Sequence, residues 1–146
     1  MKFVSFLLKG QPKFGISDGN NITDLTDKIK GAQTLKELIT NKSIQEAKEF
    51  SKKNPGKISH DEIEYLPVIP NPGKIVCVGL NYSEHVKETG RTVEQNPVIF
   101  LRVPESQTAH KQPIQRPRVS ESLDYECEMA VIMGDAGKHI KPEDAL

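Results

Sequence analysis

The chain has 146 residues, 36% of them hydrophobic, and its 20 basic and 20 acidic residues give a formal net charge of zero. This length allows one substantial core or two small units, and the even charge balance excludes the basic footprint expected for partners such as nucleic acid or an anionic membrane. No apolar run approaches the roughly 18 residues of a membrane-spanning helix, and two distant cysteines do not make a disulfide framework, so we expect a cytoplasmic protein.

The first part of the chain predicts a small antiparallel sheet. Apolar and β-branched residues predict strands at 2–8, 14–17 and 22–25. Residues 18–21 read Asp-Gly-Asn-Asn, which are the residue types of a hairpin turn. The strands on either side of this turn are therefore expected to be neighbours in one sheet.

Two helices are predicted to follow the sheet. Thr34 and Ser43 are each followed three residues later by a glutamate, which is the spacing of a capping box at a helix start. Apolar residues at helical spacing come after each of them, and Asn-Pro-Gly at 54–56 ends the second helix. Together these elements predict a small α+β domain over residues 1–66.

A proline-rich stretch separates this domain from the rest of the chain. Residues 66–73 read Leu-Pro-Val-Ile-Pro-Asn-Pro-Gly, and three prolines exclude both a helix and a central strand. We therefore predict a linker over residues 67–73 and a second unit over residues 74–146.

The second unit opens with a predicted strand at 74–80, whose apolar residues on both faces are typical of a fully buried strand. A short helix is predicted between Ser83 as the N-cap and Gly90 as the residue after the C-cap, and another strand over 98–103. The polar stretch 104–122 is predicted to be a long loop, and loops of this length are usually functional or mobile.

Residues 123–134 alternate between apolar and acidic side chains at first, which predicts a β-strand with two unlike faces. Asp124, Glu126 and Glu128 would share one face, roughly 6.6 Å apart, where unscreened carboxylates repel one another. A divalent cation such as Mg²⁺ or Mn²⁺ between them would relieve this repulsion, because it prefers carboxylate oxygen. The alternative is a solvent-exposed face paired with Lys or Arg from a neighbour. Cys127 would lie on the apolar face as a small buried hydrophobe.

Taken together, the second unit resembles the fumarylacetoacetate hydrolase family. The resemblance is carried by a strand and helix that read Lys-Ile-Val-Cys-Val-Gly-Leu-Asn-Tyr and Ser-Glu-His-Val-Lys-Glu-Thr-Gly, by Pro-Val-Ile-Phe at 97–100, and by Asp-Tyr-Glu-Cys-Glu-Met-Ala-Val-Ile-Met-Gly at 124–134. It implies an α+β, mostly β fold, in which a mixed β-roll of this type, here partial, follows a small α+β N-terminal domain. It also implies a divalent metal, Mg²⁺ or Mn²⁺, and small 2-oxo or 2,4-dioxo acids as substrates.

The resemblance also implies roles for single residues. Glu126 and Glu128 match the glutamates that bind the metal in the family, whereas Asp124 matches a position expected to bond the local backbone or a neighbouring cation. His85 and Glu88 match a catalytic pair that activates water in hydrolytic members. Three residues apart on a helix, they lie on one face and can touch.

A second group of residues is expected near the substrate. In similar proteins the segment after the 98–103 strand approaches the active site. The substrate-binding candidates are Arg102 and Ser106, and the same segment includes His110 and Gln112.

The family contains several activities that share one chemical intermediate. A metal-dependent hydrolase that cleaves a carbon–carbon bond of 2,4-dioxo acids of the acylpyruvate type passes through a metal-stabilised enolate. Decarboxylation or a proton shift in a 2-oxo acid reaches the same enolate, so an isomerase or decarboxylase is the alternative. A third alternative, from another class, is a non-catalytic assembly module that forms a homodimer or binds a complementing chain.

The resemblance further implies that one metal carboxylate and a catalytic lysine lie beyond the acidic strand. On this basis we expect a truncated or split enzyme, in which the 146 residues alone bind metal weakly and turn over little.

Overall fold

The computed structural model describes residues 1–88, 90 and 96–145. Its N-terminal part contains a five-stranded antiparallel sheet. Its strands are β1 (Lys2–Leu8), β2 (Gln11–Ser17), β3 (Asn21–Asp24), β4 (Ile58–Ser59) and β5 (Ile63–Tyr65), in the order β4-β3-β2-β1-β5. The three predicted strands are confirmed. The two short strands β4 and β5 were not predicted, because two or three residues are too few to show alternation.

Two helices pack on this sheet, α1 (Leu35–Thr40) and α2 (Ile44–Lys53). They close one hydrophobic core, whose buried members are Phe14, Ile16, Leu25, Ile29, Ala32, Leu35, Leu38 and Ala47. The core is therefore formed by β2, by the segment between β3 and α1, and by both helices. These strands and helices are the α+β elements that the sequence predicts for this part of the chain.

The turn between β2 and β3 is held by Asp18. The backbone N–H groups of Asn20 and Asn21 both donate to Oδ1 of Asp18, at 2.8 Å each. These bonds, first that of Asn21 and then that of Asn20, lower the pKa of the exposed Asp18 carboxyl below its usual value, because they favour the ionised form. The predicted hairpin turn is confirmed.

The two predicted capping boxes have different outcomes. At α1, Oγ1 of Thr34 accepts from the backbone N–H of Glu37 at 3.2 Å, and the Glu37 carboxylate accepts from the backbone N–H of Thr34 at 3.1 Å. At α2, Ser43 is the N-cap but its side chain makes no capping bond and instead donates to Asn41 O at 3.4 Å. The first box is confirmed and the second is wrong, because Ser43 has φ −91° and ψ 17°, whereas Thr34 has the extended backbone that a capping side chain needs.

This difference gives a matched pair of variants. Thr34→Ala is expected to lower the free energy of unfolding by about 1 kcal/mol, because it leaves a helix N–H without its partner. Ser43→Ala is expected to change it by less than about 0.5 kcal/mol, since no capping bond is lost. Urea unfolding followed by circular dichroism measures both. A cost for Ser43→Ala equal to that of Thr34→Ala would contradict the geometry described here.

The second unit contains a two-stranded antiparallel sheet of β6 (Ile75–Gly79) and β7 (Val98–Arg102), with α3 (Ser83–Glu88) between them in sequence. The helix and both strands were predicted. The prediction that the first of these strands is fully buried is wrong, because Val76 and Val78 are 55% and 41% exposed. A sheet of two strands has too few neighbours to cover two apolar faces.

The rest of the second unit has little regular structure. The predicted loop 104–122 is confirmed, with one turn of 3-10 helix at Pro104–Ser106, and another such turn occurs at Pro142–Asp144. Residues 123–134 form no strand, so the prediction of an acidic β-strand is wrong, and Cys127 is exposed rather than buried. An alternating pattern becomes a strand only when a neighbouring strand supplies its backbone partners, and in the described residues the second sheet contains only β6 and β7.

The α+β, mostly β fold class is confirmed. The division at residues 67–73 stays a prediction. Within the described residues, no helix has the length and apolar character needed to cross a membrane.

Candidate active site

The helix α3 presents the predicted catalytic pair. Its buried residue is Val86, 1% exposed, which anchors one side of the helix. On the other side, Nδ1 of His85 lies 4.0 Å from Oε2 of Glu88, as their spacing predicts. Gly90 has φ +67° and donates from its N–H to Lys87 O at 3.0 Å, so the predicted glycine stop beyond the helix is confirmed.

The structure brings a third predicted residue to this pair. Oε1 of Glu126 lies 3.7 Å from Nε2 of His85, although the two residues are far apart in sequence. The imidazole ring of His85 therefore has a carboxylate near each nitrogen. Both distances exceed a normal hydrogen bond, so these are electrostatic contacts whose strength depends on protonation of the ring. All three side chains are at least 47% exposed and so open to a ligand from solvent.

The predicted metal ligands are not assembled into a complete set. Glu126 contacts His85, whereas Glu128 is exposed and has no hydrogen bond or ion pair with any described residue. Across residues 1–88, 90 and 96–145, no three or more His, Cys, Asp or Glu side chains are grouped so that they could hold a metal. The two carboxylates suit Mg²⁺ or Mn²⁺ in donor chemistry but not in number or fixed geometry. Residues 123–134, which include both carboxylates, form no strand that would fix their spacing.

Asp124 makes a hydrogen bond to the local backbone, which is one of the two contacts expected for it. Its Oδ1 accepts from the backbone N–H of Tyr125 at 2.8 Å. The carboxylate is therefore engaged with the local backbone.

The predicted substrate-binding residues form a second pair. Nε of Arg102, the last residue of β7, donates to Oγ of Ser106 at 3.2 Å, and the same hydroxyl donates to Val103 O at 2.7 Å. Among the described residues, no hydrogen bond or ion pair joins this pair to His85. The structure thus brings five of the six candidates together as two groups and leaves Glu128 outside both.

Sequence reasoning missed how the loop after β7 is held. Nε2 of Gln107 donates to Ile69 O at 3.3 Å, and Nε2 of Gln112 donates to Oε1 of Glu64 at 3.1 Å. These partners are 38 and 48 residues apart in sequence, so no local spacing could have indicated them.

The sequence of this chain matches a family model and several curated proteins. A family model described as fumarylacetoacetate (FAA) hydrolase C-terminal matches residues 74–146. The chain is 36% identical over 153 residues to a Xenopus laevis protein named oxaloacetate tautomerase fahd2, mitochondrial, with 100% of this chain and 48% of that protein covered. It is 38% identical over 89 residues to the rat protein named oxaloacetate tautomerase Fahd2a, mitochondrial, with 61% of this chain and 28% of that protein covered.

A solved structure also matches. It is the crystal structure of a candidate HpcE protein from Mycobacterium smegmatis, with a TM-score of 0.60, 20% sequence identity, and coverage of 80% of this chain and 41% of that chain. At this identity the match supports the fold alone. The chain spans about half the length, or less, of the curated relatives it matches.

Proposed function

Because the chain belongs to the fumarylacetoacetate hydrolase family, we propose that it contributes part of the active site of an enzyme that interconverts the enol and keto forms of a small 2-oxo acid of the oxaloacetate type. The single observation that carries this proposal is the approach of Nε2 of His85 to within 3.7 Å of Glu126. It joins the candidate acid–base group to a candidate metal ligand. The relatives named as oxaloacetate tautomerases support the choice of reaction.

The proposed proton transfer uses His85. In the keto form, the neutral imidazole takes a proton from the carbon next to the carbonyl, and the electron pair of that C–H bond forms the enolate. The imidazolium then returns its proton to the enolate oxygen to give the enol, and the reverse steps regenerate the keto form. Imidazole suits both directions, because its ring nitrogens can both accept and donate a proton.

The two carboxylates beside His85 have a complementary role. When the ring carries a proton, Glu88 and Glu126 face a positive charge at 4.0 Å and 3.7 Å and stabilise it. They also favour one orientation of the charged ring, since a carboxylate lies near each nitrogen. Arg102 and Ser106 would bind the substrate, with the guanidinium pairing with a substrate carboxylate.

We propose that Glu126 and Glu128 would hold Mg²⁺ or Mn²⁺ together with groups outside the described residues. When bound, such a metal would stabilise negative charge on the carbonyl oxygen of the substrate.

Hydrolysis of a carbon–carbon bond in 2,4-dioxo acids is the second candidate. The His85–Glu88 contact favours it, because an imidazole oriented by a carboxylate can take a proton from water that attacks the distal carbonyl. Decarboxylation of the oxaloacetate type remains a related alternative through the same enolate. A homodimer or a complementing chain as partner, and the cytoplasmic location, stay predictions.

The reaction is tested by adding the purified chain to oxaloacetate with Mg²⁺ or Mn²⁺ and following the ultraviolet absorbance of the enol. Because Glu126 and Glu128 do not complete a metal site within the described residues, we expect the 146-residue chain to speed equilibration only slightly above the buffer rate. An acylpyruvate cleaved in a parallel assay would favour hydrolysis instead. Glu88→Gln is expected to lower the rate about tenfold or more, because the ring loses one orienting carboxylate.

Glu84→Gln is the matched control on the same helix. Glu84 pairs with Lys87 at 2.8 Å, away from the imidazole, so its loss is expected to leave the rate unchanged. Equal losses for Glu84→Gln and Glu88→Gln would contradict a role for the His85 group.

A further inference from the structure

The end of the N-terminal unit and the residues directly after it contact the loop that follows β7 at three points. The ring of Tyr65, the last residue of β5, meets the ring of His110 edge to face, with centroids 4.9 Å apart and planes at 85°. Near it, Glu64 accepts from Gln112 at 3.1 Å, and Ile69 O accepts from Gln107 at 3.3 Å. We call residues Glu64, Tyr65 and Ile69 the loop seat.

Polar contacts through His60 connect Tyr65 to Ser17 of the N-terminal sheet. Its hydroxyl lies 2.6 Å from Nδ1 of His60, and Nε2 of His60 lies 2.9 Å from Oγ of Ser17. Ser17 is buried in β2 and its Oγ also accepts from Gly19 N–H at 3.0 Å. This chain of polar contacts leaves the Tyr65 ring little freedom, so the ring is a rigid surface for the loop.

The seated loop carries one of the candidate substrate-binding residues. Ser106 lies between β7 and the contact points at Gln107 and His110, and its hydroxyl accepts from Arg102. We propose that Tyr65 is a positioning residue that seats this loop and thereby holds Ser106 beside Arg102. The effect of these loop contacts on substrate binding rests on the proposed function, whereas the contacts between Tyr65 and the loop do not.

Trypsin tests the seating without any need for turnover. Lys111 is exposed and lies between His110 and Gln112, so cleavage after it requires the loop to leave its seat. Tyr65→Leu removes the aromatic edge contact and keeps apolar bulk, and it is expected to speed this cleavage about threefold to tenfold relative to cleavage after the exposed Lys138. Tyr65→Phe keeps the ring but loses the hydroxyl contact with His60, so its ratio is expected to lie between those of the wild type and Tyr65→Leu.

A second variant tests the same contact without changing β5, because Tyr65→Leu could also disturb that strand. Gln112→Ala removes the hydrogen bond to Glu64 from the loop side and is expected to raise cleavage after Lys111 about twofold to fivefold. Gln45→Ala, which removes a surface bond to Glu49 on α2, is the matched control and leaves the ratio unchanged. Wild-type ratios in both Tyr65→Leu and Gln112→Ala, or a Tyr65→Phe ratio as high as that of Tyr65→Leu, would overturn the proposal.

Proton NMR of His110 gives an independent signature. The Tyr65 ring shifts the imidazole C–H resonances of His110 in the wild type and in Tyr65→Phe, and this shift disappears in Tyr65→Leu. In the oxaloacetate assay, Tyr65→Leu is expected to raise KM while kcat stays within about twofold, because the loop serves binding rather than proton transfer. If the enzyme assay fails while cleavage and NMR respond, the proposed function is wrong and the seating stands. An unshifted His110 in the wild type overturns the seating.

Discussion

His85→Ala is expected to bring enol–keto interconversion down to the buffer rate, because a positioned acid–base group usually contributes about 10²-fold to 10⁴-fold. The physical reason is that the imidazole at the centre of the Glu88 and Glu126 carboxylates is the described group best suited to move a proton near neutral pH. The enol absorbance of oxaloacetate with Mg²⁺ or Mn²⁺ present measures the effect.

His85→Ala has controls that separate chemistry from folding. The exposed histidine His139 lies outside the candidate site, so His139→Ala is expected to leave the rate unchanged. Added imidazole is expected to restore part of the activity of His85→Ala, because it supplies the missing base. A rate for His85→Ala equal to that of the wild type would show that another group moves the proton.

The same variant separates the reactions of the family. Hydrolysis of a 2,4-dioxo acid needs a base for water, whereas decarboxylation reaches the enolate by loss of CO₂ and needs no proton removal. His85→Ala is therefore expected to abolish any hydrolysis and to leave any decarboxylation. Loss of both activities together would count against a shared enolate.

The N-terminal fold was predictable because its signals are local. The strands around Asp18 and the helix after Thr34 each depend on residues within a few positions, and both formed as predicted. Ser43 shows the limit, because its hydroxyl donates to Asn41 O, a bond that a capping pattern does not contain.

The second unit was less predictable because its signals depend on partners. The alternation at residues 123–134 describes a strand only if another strand lies beside it, and the apolar pattern of β6 describes burial only if something covers both faces. In the described residues neither condition is met, so both predictions were wrong. Whether the alternating or apolar residues form a buried strand depends on distant parts of the chain that the residue pattern does not describe.

The candidate site shows the same division. The contact between His85 and Glu88 follows from their three-residue spacing on a helix, and the resemblance to a family supplied Glu126. The approach of Glu126 to His85, and the contact between Tyr65 and His110, join distant parts of the chain. Such contacts are set by the path of the backbone, which residue spacing does not encode.

Phe14→Ala is expected to lower the free energy of unfolding by about 3–5 kcal/mol, because Phe14 is 1% exposed in the main core and its loss leaves a large cavity. This is a large fraction of the roughly 5–15 kcal/mol that stabilises a typical domain. Urea unfolding followed by circular dichroism measures the change.

The matched variant is Phe100→Ala in β7, where the same side chain is 49% exposed. Its expected cost is less than about 1 kcal/mol, because a half-exposed ring buries less apolar area and leaves no closed cavity. The ratio of the two effects therefore measures where the stability of this chain resides. Equal costs would mean that the apolar face of the β6–β7 sheet is covered in solution, and the stability of the second unit would then depend on whatever covers it.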